Sequence, residues 1–325
     1  MYHLYGEGSP SDPKTQPCNA VHNLLVAVRH YLNTGHSPYG DAIDTWCVEN
    51  IRDFNAVFKG VFPDPSPNAG PPVNVNSFFN QRISSWNVSG AHSMRSMFAW
   101  ALHFNQDISI WDVSRVVDTS EMFEGASSFN QDLSMWVTSS ITDMSKMFWG
   151  ASAFRQDISS WDVSSVQNMN TMFCGTKFNG DLSKWSTSNV NNMNNMFFGA
   201  ESFNRDISEW NVSSVTDMSY MFILATRFDQ DLSLWDVSSV TDMSNMFNEA
   251  NTFNRDISLW NISNVQNMEH MFSAARNFNQ NLCAWGPSIQ RDAKVTGMFR
   301  NQGCPDIRDP DLTADPVSPL CFVCE

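Results

Sequence analysis

The chain has 325 residues and a formal charge of −15, so a nucleic-acid backbone would be repelled and general nucleic-acid binding is excluded. Only 16% of residues are charged and 42% are hydrophobic, which excludes charge-driven disorder as the main state. With 24 Phe, 18 Met and 12 Trp, the expected core is aromatic and Met-rich rather than built on Leu and Val.

Residues 1–18 are polar and read as an irregular N-terminal segment without the apolar stretch of a signal peptide. In 19–34, Val21, Leu24, Leu25, Val28 and Tyr31 fall on one face of a helix. Residues 19–38 therefore read as a helical cap. Beyond them, Trp recurs at 46, 86, 111, 136, 161, 185, 210, 235, 260 and 285. From Trp86 the steps are 25 residues, with a single 24 where GTKF at 175–178 drops one turn residue. An aromatic precedes each of these Trp by seven positions, and a Phe follows by twelve in all but the last unit, where the gap stretches to Phe299. The unit reads F-N-Q-D-I-S-x-W-D-V-S-S-V-T-D-M-S-x-M-F-x-x-A-x-x. Ten copies span 39–299, the first degenerate and followed by a Pro-rich insertion at 61–75.

A winding this short cannot close a core alone, but stacked copies cover one another's apolar faces. The fold class is therefore a repeat solenoid. D-I-S-x-W-D-V alternates and reads as a short strand, pairing in parallel from coil to coil. M-S-x-M-F-x-x-A has apolar residues three to four apart and reads as a short helical or 3-10 segment.

The repeat, near-ideal at Val215 to Phe222 and Val240 to Phe247, resembles that of BspA-like leucine-rich-repeat surface proteins. These include surface repeats first grouped from mycoplasmas. The resemblance covers about Tyr39 to Phe299, although Phe, Trp and Met here replace most Leu. It implies a leucine-rich-repeat-like right-handed solenoid, a secreted or cell-surface location, and adhesion or recognition without a catalytic site.

Residues 300–325 form a Cys- and Pro-rich tail or cap. Six of the seven Cys (Cys18, Cys47, Cys283, Cys304, Cys321 and Cys324) lie at the ends and read as disulfide staples of an oxidising compartment. Cys18 with Cys47 and Cys283 with Cys304 are the favoured pairs, although sequence leaves the connectivity open. Cys174, alone inside the array, reads as a free thiol.

Core positions are nearly invariant between coils, so variable apolar positions should face outward. Trp100, Trp149, Phe198, Ile223 and Leu224 are therefore a candidate stripe for a protein or glycan partner. Asp107, Asp132, Asp157, Asp181, Asp206, Asp231 and Asp256 share one repeat position. They read as turn formers capped by backbone N–H groups, with a row of bound Ca²⁺ as the alternative. Asn87, Asn211 and Asn261 open N-x-S sequons. No nucleophile, phosphate-loop or metal-ligand motif is present, so no catalytic residue, cofactor or resident metal is assigned. No stretch is apolar enough for a transmembrane segment. The expected function is a non-catalytic extracellular recognition solenoid. The alternatives are a structural or assembly subunit and a calcium-binding array.

Overall fold

The computed structural model describes residue 21, residues 23–61 and residues 75–324. The irregular start, Cys18 and most of the Pro-rich insertion lie outside the described residues.

Chain order begins with one α-helix, α1 (Leu24–Thr34). The side chain of Asn23 accepts the Val26 N–H at 3.1 Å and caps its first turn. Gly35 ends it with φ +76°, donating its N–H to the Tyr31 carbonyl at 2.8 Å. Leu24, Ala27, Val28 and Tyr31 are buried. Tyr31 lies edge-on to Trp46 at 5.5 Å, and its hydroxyl donates to the Asp41 carbonyl and to Gln81 Oε1. The helix thus covers the first coil, whose rings would otherwise meet water.

The coils follow: coil 1 (39–60), coil 2 (79–103), coil 3 (104–128), coil 4 (129–153), coil 5 (154–177), coil 6 (178–202), coil 7 (203–227), coil 8 (228–252), coil 9 (253–277) and coil 10 (278–299). Described residues within them form turns, two one-turn 3-10 segments (Ile43–Thr45, Cys283–Trp285) and isolated parallel bridges, not extended strands. One bridge per junction runs from Asp53 through Ser93, Asp118, Asp143, Asn168, Asn192, Asp217, Asp242 and Asn267 to Lys294.

Both the strand and the helix expectation are corrected. The segment expected to be helical makes the inter-coil pairing. Met243, Asn245, Phe247 and Glu249 donate their N–H groups to Asn267, Glu269, Met271 and Ser273 of the next coil, each at 2.9 Å. The alternate residues Met246, Asn248 and Ala250 instead donate three positions back within the coil, at 3.2, 3.1 and 3.0 Å. Such an alternation requires left-handed residues, here Asn245 and Glu249, both at φ +57°. A helix would leave the next coil without its donors.

The expected strand is broken by its own D-x-S tripeptides. Coil 8 contains three: Asp231, Asp236 and Asp242 accept the N–H of Ser233, Ser238 and Ser244 at 2.9, 3.1 and 2.8 Å. Each is an Asx turn, a side chain standing in for a backbone carbonyl. The residue between Asp and Ser (Leu232, Val237 or Met243) is buried, so each corner drives one apolar side chain inward. Coils 4 and 6 lack the middle Asp, carrying Val137 and Ser186 there. In these, Thr138 and Thr187 are buried, and their hydroxyls donate to the carbonyls of Asp162 and Asn211 in the next coil at 2.9 Å.

Aromatic columns run through the interior. Phe98, Phe123, Phe148, Phe173 and Phe197 stack at 5.7–5.9 Å. Trp136, Trp161, Trp185 and Trp210 stack at 6.4–6.5 Å with planes within 6°. Each indole N–H reaches a carbonyl of the preceding coil, as from Trp161 to Leu133 at 3.0 Å. A buried polar atom is thereby satisfied at every step.

The tail folds back on coil 10. Leu282 donates to the Leu320 carbonyl at 3.2 Å, and Val317, Leu320 and Cys321 are buried. This return corrects the C-terminal disulfide assignment: Cys283 pairs with Cys324 and Cys304 with Cys321, not Cys283 with Cys304. The reason is that the chain doubles back, bringing the distant 321–324 segment beside both earlier cysteines. Cys47 is disulfide-bonded, while Cys18, its expected partner, lies outside the described residues.

Candidate recognition face

Within an array whose interior repeats, the side chains that change identify the surface that differs from coil to coil. Three such columns flank the paired edge. The left-handed residue of M-S-x-M-F is Ser96, Glu121, Lys146, Thr171, Asn195, Tyr220, Asn245 and His270 in coils 2 to 9. The position after Phe holds Ala99, Glu124, Trp149, Cys174, Phe198, Ile223, Asn248 and Ser273. The next position holds Trp100, a run of Gly from Gly125 to Gly199, then Leu224, Glu249 and Ala274.

Trp100, Trp149, Phe198, Ile223 and Leu224 are all half-buried. Because Trp149, Cys174, Phe198 and Ile223 occupy one column in consecutive coils, they form a continuous apolar strip. Trp100 joins its N-terminal end, meeting Trp149 edge-on at 6.1 Å. Its ring lies over Gly125, where any Cβ would run into it, and Gly125 also sits at φ +65°. Leu224 prolongs the other end. Cys174 is buried and burial pushes its thiol up to about 11, so it is a packed, unreactive side chain.

Charges gather at the Trp100 end. Glu121 is held by Arg95 at 3.1 Å, Lys59 at 3.6 Å and the Ser96 hydroxyl at 2.6 Å. Burial pulls its carboxyl up, but Ser96, Arg95 and Lys59 together outweigh that and hold it below the usual range. Glu124 is buried and accepts the Trp100 indole N–H at 3.1 Å. Burial, then the Glu121 charge, raises its carboxyl above the usual range. Lys146 stands 5.5 Å from the Trp149 ring centre, a cation–π distance.

Asp107, Asp132, Asp157, Asp181, Asp206, Asp231 and Asp256 each accept the N–H of the Ser two residues on, at 2.8–2.9 Å. In four of them these bonds lower the carboxyl: the Ser109 hydroxyl and then its N–H for Asp107, and the N–H first for Asp157, Asp181 and Asp231. Among the described residues, no three Asp, Glu, His or Cys side chains gather where they could hold a metal ion. Asn87, Asn211 and Asn261 are exposed and form the same Asx turn with Ser89, Ser213 and Ser263 that Asp forms in other coils.

Sequence reading missed a second surface. The x of S-x-W places Ile110, Met135, Leu234 and Leu259 outward, 75–83% exposed, with Val137 beside Met135. The signal was present in the repeat: an apolar residue in a column that elsewhere holds Ser160, Lys184 and Glu209.

The family comparison places this solenoid. Three tandem stretches, 73–153, 131–223 and 206–305, match the family described as "Mycoplasma protein of unknown function, DUF285". Together they cover well over half of the chain, which therefore belongs to that repeat family. Comparison with curated proteins gave no match, and neither did comparison with solved structures. No helix among the described residues is long and apolar enough to cross a membrane.

Proposed function

We propose that the protein is a non-catalytic recognition solenoid of the BspA-like leucine-rich-repeat kind, secreted or displayed at a cell surface. It would take a protein or glycan partner along the strip from Trp100 to Leu224. One observation carries this reading: Trp149, Cys174, Phe198 and Ile223 follow one another in a single column of consecutive coils, with Trp100 and Leu224 at its ends, whereas other coils place Glu124, Asn248 and Ser273 in that column. Half-buried aromatics supply contact area at small entropic cost, and rigid coils hold them in register. Disulfides at the C-terminal cap support an oxidising location.

A protein and glycan array screened with the native chain, and with the Trp149→Ser/Phe198→Ser variant as control, tests the proposal. Saturable binding lost in the variant supports it. Equal binding by both, or none at micromolar concentration, overturns it. A second reading, an assembly subunit, is favoured by the exposed Ile110, Met135, Leu234 and Leu259. Light scattering that finds a monomer at all concentrations removes self-assembly through that edge.

A further inference from the structure

The repeat provides its own reference for the N-terminal coils. At the Thr of V-T-D, later coils carry Thr142, Gln167, Asn191, Thr216, Thr241 and Gln266, all uncharged, whereas coils 1 and 2 carry Arg52 and His92. At the following Asp or Asn, coil 2 alone among coils 1 to 9 has Ser93. At the second Ser of S-S-V, coil 3 has Arg115. Arg52 and Arg115 each add a positive charge and Ser93 removes the carboxylate that most coils carry there, in a chain whose net charge is −15. All four residues line one open cavity of about 770 Å³ between the first coils. Among the described residues, none of the Arg52, His92 and Arg115 side chains makes an ion pair or hydrogen bond.

We propose that this cavity binds an acidic saccharide, a sugar unit carrying one carboxylate or sulfate group. Arg52 and Arg115 offer planar forks suited to two oxygens of such a group, with His92 beside them. Glu49 and Asp53 line the same cavity and accept hydrogen bonds from sugar hydroxyls, with Asn50 able to donate or accept. The two carboxylates also disfavour a densely charged polyanion, as does the acidic molecule around them. One acid group among several hydroxyls is the ligand chemistry that satisfies both halves. The site stands apart from the aromatic strip and shares no residue with it.

The test reverts the cavity to the repeat's own residues. Arg52→Thr and Arg115→Ser place side chains already stacked stably in coils 4, 7 and 8, so the fold is retained. Native and doubly reverted chains are titrated by calorimetry with a glucuronate-containing disaccharide, a sulfated disaccharide, a neutral disaccharide and inorganic sulfate. The native chain should bind at least one acidic disaccharide saturably, more than tenfold tighter than the neutral one and inorganic sulfate, and more weakly as salt rises. The reverted chain should lose more than tenfold, with its melting temperature kept. Equal affinity for neutral sugar or bare sulfate, equal binding by the reverted chain, or no saturable binding of either acidic sugar overturns the proposal. The Trp149→Ser/Phe198→Ser variant should keep this binding, which separates failure here from failure of the strip.

Discussion

Replacing Phe197 by Ala should open the array at its middle. The Phe197 ring is fully buried and stacks on Phe173 and Phe222, both at 5.7 Å, and on Phe203 at 3.9 Å, with Trp210 at 6.3 Å. It therefore belongs to both the coil 5–6 junction and the coil 6–7 junction. Truncating a buried Phe to Ala costs about 3–5 kcal/mol. The upper part of that range is expected, because neighbouring rings held by paired backbones cannot collapse into the void. Each coil touches only its neighbours, so weakening one junction also weakens the coupling between halves. Equilibrium urea unfolding followed by Trp fluorescence and far-UV circular dichroism measures both effects. The expected result is a lower midpoint, with a transition that broadens or divides. Leu234→Ala, at a side chain 75% exposed, should change stability by no more than about 0.5 kcal/mol. A loss under about 1 kcal/mol for Phe197→Ala, with an unchanged slope, would refute the reasoning that the columns stabilise the stack.

Gly125→Ala should cost more than Gly175→Ala in thermal or urea unfolding. Both positions are left-handed, at φ +65° and +66°, which costs an L-residue roughly 1–2 kcal/mol, but only at Gly125 does the new Cβ meet the Trp100 ring. Glu124→Gln should be neutral or stabilising by up to about 1 kcal/mol at pH 7, since it removes a buried charge whose protonation is favoured and keeps an acceptor for Trp100. Marked destabilisation would contradict that. Asp107, Asp112, Asp157, Asp162, Asp181, Asp231 and Asp236 have carboxyls lowered by their Asx-turn bonds. Their contribution is present above the unfolded carboxyl range, near 4, and is lost as pH falls below it. Urea midpoints should therefore hold from pH 7 to 5 and drop towards pH 3, and a rising midpoint over that fall would contradict the assignment.

Much of the architecture was legible because a repeat reports the same environment ten times. Trp at every coil, Phe seven before it and Phe twelve after it must share one interior, whatever the backbone does between them. What the backbone does was less legible. M-S-x-M-F has helical spacing, but its alternate left-handed residues are disclosed only by the Gly that fills the neighbouring column in coils 3 to 6. D-I-S-x-W alternates like a strand, yet its Asp folds onto Ser and makes a corner. Local hydrogen bonding overrode hydrophobic periodicity in both segments. The pairing of Cys283 with Cys324 depended on a chain reversal that no spacing records. Arg52, His92 and Arg115 stood in the sequence as departures from the repeat, but only the stacking of coils 1 to 3 brings them to one cavity.

The stacked indoles are the central claim, and one quenching experiment reaches them directly. Of the 12 Trp, only Trp100 and Trp149 lie outside the column series. Trp100→Phe/Trp149→Phe therefore leaves only column indoles, each about 3% exposed or less. Acrylamide quenching of this variant should be nearly flat in buffer and steep in concentrated urea. Steep quenching already in buffer, from a chain that still unfolds cooperatively, would place the indoles in water and contradict the account.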